Sequence, residues 1–506
     1  MKKLPARQRG PEPEPVKGPG RRRPTQHFMR NFTAAVSSRL AHGWTTTGTS
    51  LHQDLRGQLG PLRARARDLV LNTSFGARAI SLFRTNVVGS KGIVLQMQVQ
   101  EMQGNKMVYD DAANTKIETA WKDWCRKENC TVQGRYAFKD VCDLAVTHLV
   151  GDGEAIMRHR YGSQFKHGYS LQVMDPSLLD EAHNLPRERG KNEVVNGIEV
   201  DEDDKAVAYW FKTRTQYGEG YERIRIPAEE IIHIFVPQRV DQFRGYPHAA
   251  PVLMDMKMLD GYYEAEVTAA RLGAAKAGFM QTPSGSEYTG DGETTSDDGS
   301  KVGHSFEVAP GIVEELPHGY EFKPFDPQHP TTAFDPFTKA LIRAIASGLN
   351  LSYHSLANDL ENVNYSSIRA GELENREAFK QLQALLVTHL LTPVFENWLR
   401  ASMLKGTVPL PLTKFDKFNK PVFSPRRWDW VDPYKDVQAI KESLALGLTT
   451  HSEVLSEKGK DLRDVWIQYA HEQQLAAELK IKVATFTKPQ APAPPPKATE
   501  SEDEDA

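Results

Sequence analysis

Apolar positions change period as this chain advances. Ala66, Leu69, Val70, Ala77, Ile80 and Phe83 recur at three-to-four spacing, so residues 64–88 predict a helix, broken near Asn72–Gly76 and closed by Gly89. Ile93–Val99 predicts a strand, and Ile117–Trp124 and Tyr136–Val150 predict helices. After the turn Gly151–Asp152–Gly153 the period shortens. Glu154–Tyr161, Leu171–Met174, Ile224–Ile226 and Ile231–Phe235 read as strands, and Ile198–Val200 with Val207–Phe211 as a hairpin around the acidic turn Asp201–Lys205. Residues 151–240 are therefore expected to form one small sheet packed on helices. Pro251 opens a long helix predicted to end near Phe279. In its second half Ala269, Gly273 and Ala277 place small side chains four apart, a surface where a neighbouring helix can approach closely. Pro283–Lys301 reads as a loop, followed by short strands at Phe306–Val308, Ile312–Glu315 and Tyr320–Pro324.

The stretch from Phe334 to Arg376 reads as helix, polar loop, helix. Asp335 and Pro336 form a start signal, and Phe337, Ala340, Leu341, Ala344 and Ile345 are expected to share the buried face until Gly348. Lys339 and Arg343 lie four apart on the other side. The loop Asn350–Tyr365 carries His354, Asn358, Asp359, Glu361, Asn362 and Asn364, with no Lys or Arg. Polar loops of this length between helices are uncommon. The helix that follows is predicted to break at Pro393. Asp432–Pro433 starts another helix, Thr450 with Glu453 makes a capping box, and Asp461 caps a last helix running to about Ile481.

At 506 residues the chain exceeds one compact core. A net charge of −3 argues against a generally basic coat for nucleic acid. Charge is uneven, with Arg21–Arg23 near the start and Glu500, Glu502, Asp503, Glu504 and Asp505 near the end, both in Pro-rich surroundings. No apolar run reaches membrane-spanning length. Cys125, Cys130 and Cys142 cannot all pair with one another and read as buried or idle thiols.

Catalytic and cofactor signatures are absent. No phosphate-binding Gly-x-x-x-x-Gly-Lys-Ser/Thr loop and no dinucleotide fingerprint occurs, so no nucleotide cofactor is expected. His148, Glu154 and His159 are the closest approach to a metal set, but Glu154 and His159 are an odd number of strand residues apart and should face opposite ways. Ser352–Tyr353–His354 lacks a nucleophile elbow. Asp201, Glu202, Asp203 and Asp204 cluster in a hairpin turn. A metal-dependent DNA-processing enzyme would need such carboxylates, and a solvated turn also accounts for them.

Several stretches, in order, resemble the portal proteins of lambda-like tailed bacteriophages: Asn86–Gly92, Gly151–Arg158, Leu171–Asp180, Gly197–Asp201, Ile226–Phe235, Arg244–Val252, Val308–Leu316 and Leu351–Gly371. The resemblance implies an α+β, elongated and mainly helical protomer of a dodecameric ring at one capsid vertex. DNA would enter and leave through its channel. It implies a basic arm (1–60), a wing with a small β-rich block (61–250), stem helices (251–281 and 331–349), a clip with short strands (282–330), a tunnel loop (350–366), a long helix and wing return (367–430), a helical crown (431–485) and an acidic tail (486–506). Lys339 and Arg343 would then face the channel, and the loop would form an acidic collar past which DNA slides. The implied partners are further copies of the chain, double-stranded DNA, the terminase large subunit, the major capsid protein, a scaffold or protease and a head–tail adaptor, with no membrane. A minor capsid or adaptor protein would share these partners without forming the channel.

Overall fold

The computed structural model describes residues 43, 48–103, 106–214, 221–274, 278–281, 293–295, 301–303, 321–324, 334–361, 365–428, 433–457 and 461–479. After the short α1 (Leu51–Asp54), α2 (Leu59–Asn72) and α3 (Ser74–Val87) form the expected broken pair. Thr73 makes the break. Its extended backbone ends α2, and its hydroxyl accepts from Gly76 N at 3.2 Å to cap α3. Strand β1 (Val94–Met97) precedes a hairpin, β2 (Gln100–Gln103) and β3 (Lys106–Tyr109), where the sequence suggested a single strand. Then come α4 (Asp111–Trp124), the short α5 (Lys127–Cys130) and α6 (Phe138–Gly151).

The block after α6 contains β4 (Glu154–Tyr161), β5 (Tyr169–Met174), β6 (Glu193–Val195), β7 (Ile198–Val200), β8 (Ala206–Arg214), β9 (Tyr221–Pro227) and β10 (Ile231–Phe235). It is two antiparallel sheets, β10-β4-β5 and β6-β7-β8-β9, where one was expected. The 3-10 turn Ala228–Glu230 between β9 and β10 hands the chain from one sheet to the other. Strand β4 divides two cores. Ala155 and Met157 face the main helical core, while Ile156 packs with Ile198, Tyr209, Phe211 and Ile226. Burial on both faces explains why the start of this strand reads as a continuous apolar run.

Helix α7 (Leu253–Ala274) stops short of the expected end. Gly278 and Phe279 belong to strand β11 (Gly278–Gln281), which will pair with β14. Beyond lie β12 (Glu293–Thr295), β13 (Lys301–Gly303) and β14 (Glu321–Pro324), whereas the predicted strands at 306–308 and 312–315 lie outside the described residues. Helices α8 (Phe334–Gly348), α9 (Tyr353–Ala357), α10 (Tyr365–Leu386) and α11 (Thr392–Lys405) follow. The predicted break at Pro393 does not occur. A π-helical turn, Val387–Leu391, joins α10 to α11, with Thr392 N–H bonded to Val387 O. Wider register before Pro393 lets the helix continue past a residue that has no N–H to give.

Helix α12 (Phe415–Phe418) leads to β15 (Pro421–Ser424), which returns to pair with β1. The last elements are α13 (Pro433–Ala445), α14 (His451–Glu457) and α15 (Leu462–Glu478). The capping box at α14 forms as read: Glu453 accepts from Thr450 N at 2.9 Å, and Thr450 Oγ1 from Glu453 N at 3.2 Å. At the centre of the main core Trp121 meets Trp124 at 4.8 Å and Trp398 at 4.9 Å between ring centroids, which seats α11 against α4.

Candidate nucleic-acid interface

The helix–loop–helix stretch is more ordered than a polar loop. Asn350 turns the chain in the left-handed region (φ 53°), and Ser352 then caps α9, its hydroxyl accepting from Ser355 N at 3.3 Å. Leu351 and Leu356 bury on either side of that cap. Buried Asn375 of α10 pins the segment, accepting from Ser352 N at 2.8 Å and donating to Ser352 Oγ at 2.9 Å. Ser355 Oγ donates to Glu372 at 2.8 Å, and Arg78 of α3 donates to Ser355 O at 3.1 Å. Asn358 (φ 54°) closes α9 in the left-handed region.

Helix α8 presents a face shifted by one residue from the expected stripe. Thr338, Ile342, Ile345 and Ala346 are buried, whereas Phe337, Ala340 and Ala344 are exposed. Thr338 can occupy the core because its hydroxyl is bonded to Phe334 O (2.8 Å) and Asp335 O (3.0 Å). Phe337 lies against Tyr262 of α7, edge to face at 5.3 Å.

The expected channel residues meet one another. Lys339 Nζ bridges Asp335 and Glu361, each at 3.0 Å. Tyr353 OH donates to Asp359 Oδ2 at 2.7 Å, Glu361 N donates to Asp359 Oδ1 at 2.9 Å, and His354 Nδ1 lies 3.0 Å from Asp359 O. The Arg343 guanidinium sits 5.1 Å from the Tyr353 ring centre. Partial burial and then the Asp359 carboxylate push the Tyr353 phenol up to about 12. Tyr353's hydrogen bond and then Glu361's N–H hold the Asp359 carboxyl below its usual range, while Asp335 and Glu361 raise Lys339. Two acids on the turn, Asp335, Lys339 and Arg343 thus form a small self-balancing network at the surface. Asn362 and Asn364 lie outside the described residues, as does Ala277. Ala269 is half-buried on α7, and Gly273 is in its last turn.

The residues weighed as metal ligands are engaged elsewhere. His148 Nδ1 lies 2.6 Å from Asp152, and His159 Nδ1 lies 2.7 Å from Tyr169 OH. Asp201 organises its own hairpin turn, accepting from Asp203 N and Lys205 N. No group of three or more His, Cys, Asp or Glu side chains that could hold a metal occurs among the described residues. The thiols are free, and burial pushes Cys142 up to about 12.

Sequence reasoning missed a charged cluster in the core. Glu154 is fully buried and accepts from Arg63 Nη2 (2.7 Å), Arg244 Nη2 (2.7 Å), Gly245 N (2.9 Å) and His233 Nε2 (3.0 Å). Burial alone would raise this carboxyl, but Arg244, Arg63 and His233 outweigh it and hold Glu154 well below its usual range. Glycine makes the approach possible. Gly153 has φ +90°, and a Cβ there would meet the Tyr246 carbonyl carbon at 2.0 Å. A signal existed in the sequence: Arg63 falls in phase with Leu59, Ala66 and Leu69, on the buried side of α2.

The family model for phage portal proteins of the lambda family matches residues 37–383, more than half of the chain. The chain belongs to that family. This portal protein is similar to a probable portal protein of Halomonas phage phiHAP-1, 35% identical over 472 residues, with 92% of this chain and 89% of that one covered. Portal protein B of Escherichia phage lambda is 22% identical, with 86% and 88% covered. Among solved structures, a chain from the neck of a native GTA particle aligns over 77% of this chain and 92% of its own, at 12% identity and a TM-score of 0.42. The protein is thus a structural component of a phage virion. No helix among the described residues is long and apolar enough to cross a membrane.

Proposed function

We propose that this portal protein closes into a dodecameric ring at one capsid vertex, with α7 and α8 as the stem, residues 350–366 at the narrowest part of the channel, 282–330 as the clip and 431–485 as the crown. Terminase, the major capsid protein, a scaffold or protease and a head–tail adaptor would dock on its outer surfaces. The observation that carries the channel reading is the neutralisation of Lys339 by Asp335 and Glu361. A duplex is held by cations that displace its counterions, so a channel for sliding DNA must keep its cations occupied. Here Asp335 of α8 and Glu361 of the turn do this for Lys339, and what remains is a weakly adhesive surface. Ring closure requires two different contact surfaces on each protomer. The small-residue end of α7 and the exposed Phe337, Ala340 and Ala344 are the surfaces offered for it.

The test is Asp359→Lys combined with Glu361→Lys in a packaging and ejection assay. It adds two cations per subunit and leaves Lys339 with Asp335 as its one remaining acid of the bridge. The expected result is slowed translocation that recovers as salt rises. Normal packaging and ejection by this variant would refute the low-adhesion collar.

A further inference from the structure

A groove of about 690 Å³ runs between the outer face of α4 and the turn at Thr407–Pro409. Its walls bring Lys116, Lys122, Arg126 and Lys166 together around a single lining carboxylate, Asp123. That carboxylate is already shared, with Lys166 at 2.6 Å, His167 Nε2 at 2.9 Å and Arg126 at 3.6 Å. Thr115 and Thr119 add hydroxyl donors to the same wall. The lining therefore carries a positive excess in a chain whose net charge is −3.

We propose that this groove receives the chain's own acidic C-terminal segment, Glu500–Asp505. The charges complement each other, since Glu500, Glu502, Asp503, Glu504 and Asp505 put five carboxylates within six residues. The reach is also sufficient. Helix α15 starts beside α4, where Arg463 bonds the carboxylate of Asp111. Lys122 stands about 17 Å further along α4, at ~1.5 Å of rise per residue. Helix α15 carries the chain roughly 25 Å away by the same rise. The Pro-rich stretch between Leu479 and Glu500 can span up to about 65 Å at ~3.1 Å per residue, more than the return requires. Docking there would tie the C-terminal helices to the body of the protomer at a second point beside the Arg463–Asp111 bridge. Arg126 and Lys166 of the groove are exposed, so the contact is salt-sensitive.

The experiment uses the full-length protein and a carbodiimide, which joins carboxylates to amines in direct contact, with mass spectrometry to locate the products. Cross-links from residues 500–505 to Lys116, Lys122 or Lys166 are expected. Their yield should fall about fivefold on Arg126→Glu, the scale of one exposed ion pair, although that change removes no reactive amine. It should fall further at about 0.5 M salt. Cross-links scattered over lysines away from the groove, or a groove yield unmoved by Arg126→Glu, would overturn the proposal. So would a short DNA duplex that protects the groove lysines from acetylation equally well whether or not the five tail acids are amidated by mutation, because the groove would then be a nucleic-acid site.

Discussion

Glu154→Gln offers the sharpest test of what holds the protomer together. The substitution keeps the side chain's shape and removes its charge. Arg63 and Arg244 are 4% and 0% exposed, and both lose the carboxylate they share. Breaking a buried ion pair from one side costs about 3–5 kcal/mol, because the remaining charge stays desolvated without compensation. With a urea slope of about 3 kcal/mol/M, the unfolding midpoint should fall by roughly 1–1.7 M. Fluorescence of buried Trp124 and Trp398 reports the transition, at fixed protein concentration because assembly adds its own stability. The double variant Glu154→Gln with Arg63→Met should be less damaging than the two single effects added, by more than about 1 kcal/mol. A midpoint within ~0.2 M of the parent would show that the cluster is energetically idle, and additivity in the double variant would show that Arg63 does not depend on Glu154. The sign with pH follows from the depressed carboxyl. Its stabilisation is fully present above the unfolded value near 4.5 and is lost as pH falls toward the folded one.

Other outcomes are equally specific. Gly153→Ala should abolish soluble protomer, because the new Cβ collides with Tyr246 and φ +90° disfavours any L side chain; normal yield and an unchanged melting temperature would count against the close approach. Arg67 holds Asp175, whose carboxyl is drawn down to about 2 by that bond against the opposing effect of burial. Arg67→Gln should therefore remove stability above the ordinary Asp range and flatten the acid limb between about pH 4 and 2, read by circular dichroism. Glu361→Gln should speed amide exchange across 358–361 with little change in global melting; unchanged exchange would mean that Lys339 does not restrain the turn. Gly273→Leu should reduce ring assembly on a sizing column while leaving the protomer folded.

Local signals carried much of this fold. Asn72–Gly76 marked the α2–α3 break, Thr450 and Glu453 marked α14, and the change of period after the turn Gly151–Asp152–Gly153 marked β4 to its ends. Legibility failed where tertiary contacts outweigh local preference. Thr338 looks polar but hides its hydroxyl in its own helix, so the face of α8 turned by one residue. Arg63, Arg244 and Glu154 look like solvated charges until the turn at Gly153 brings three distant segments together. At the candidate interface the residue types were readable, but their mutual pairing was not, because Lys339 and Glu361 are joined across a turn whose course depends on Asn358 and Asp359.

The π-turn at Val387–Leu391 also bears on how such chains diverge. A π-turn is one residue added to a helix without severing it. The buried positions of α10, including Phe379 and Leu386, and those of α11, including Phe395 and Trp398, are therefore two blocks offset by one residue. A relative without the π-turn should show a one-residue gap between Leu386 and Thr392 while keeping both blocks intact. Deleting Thr388 here should let the helix close in plain α register with Trp398 still in its aromatic seat, because the π-turn absorbs the extra residue locally. A one-residue length change at this turn is thus a step the helix can take without repacking α11 against α4.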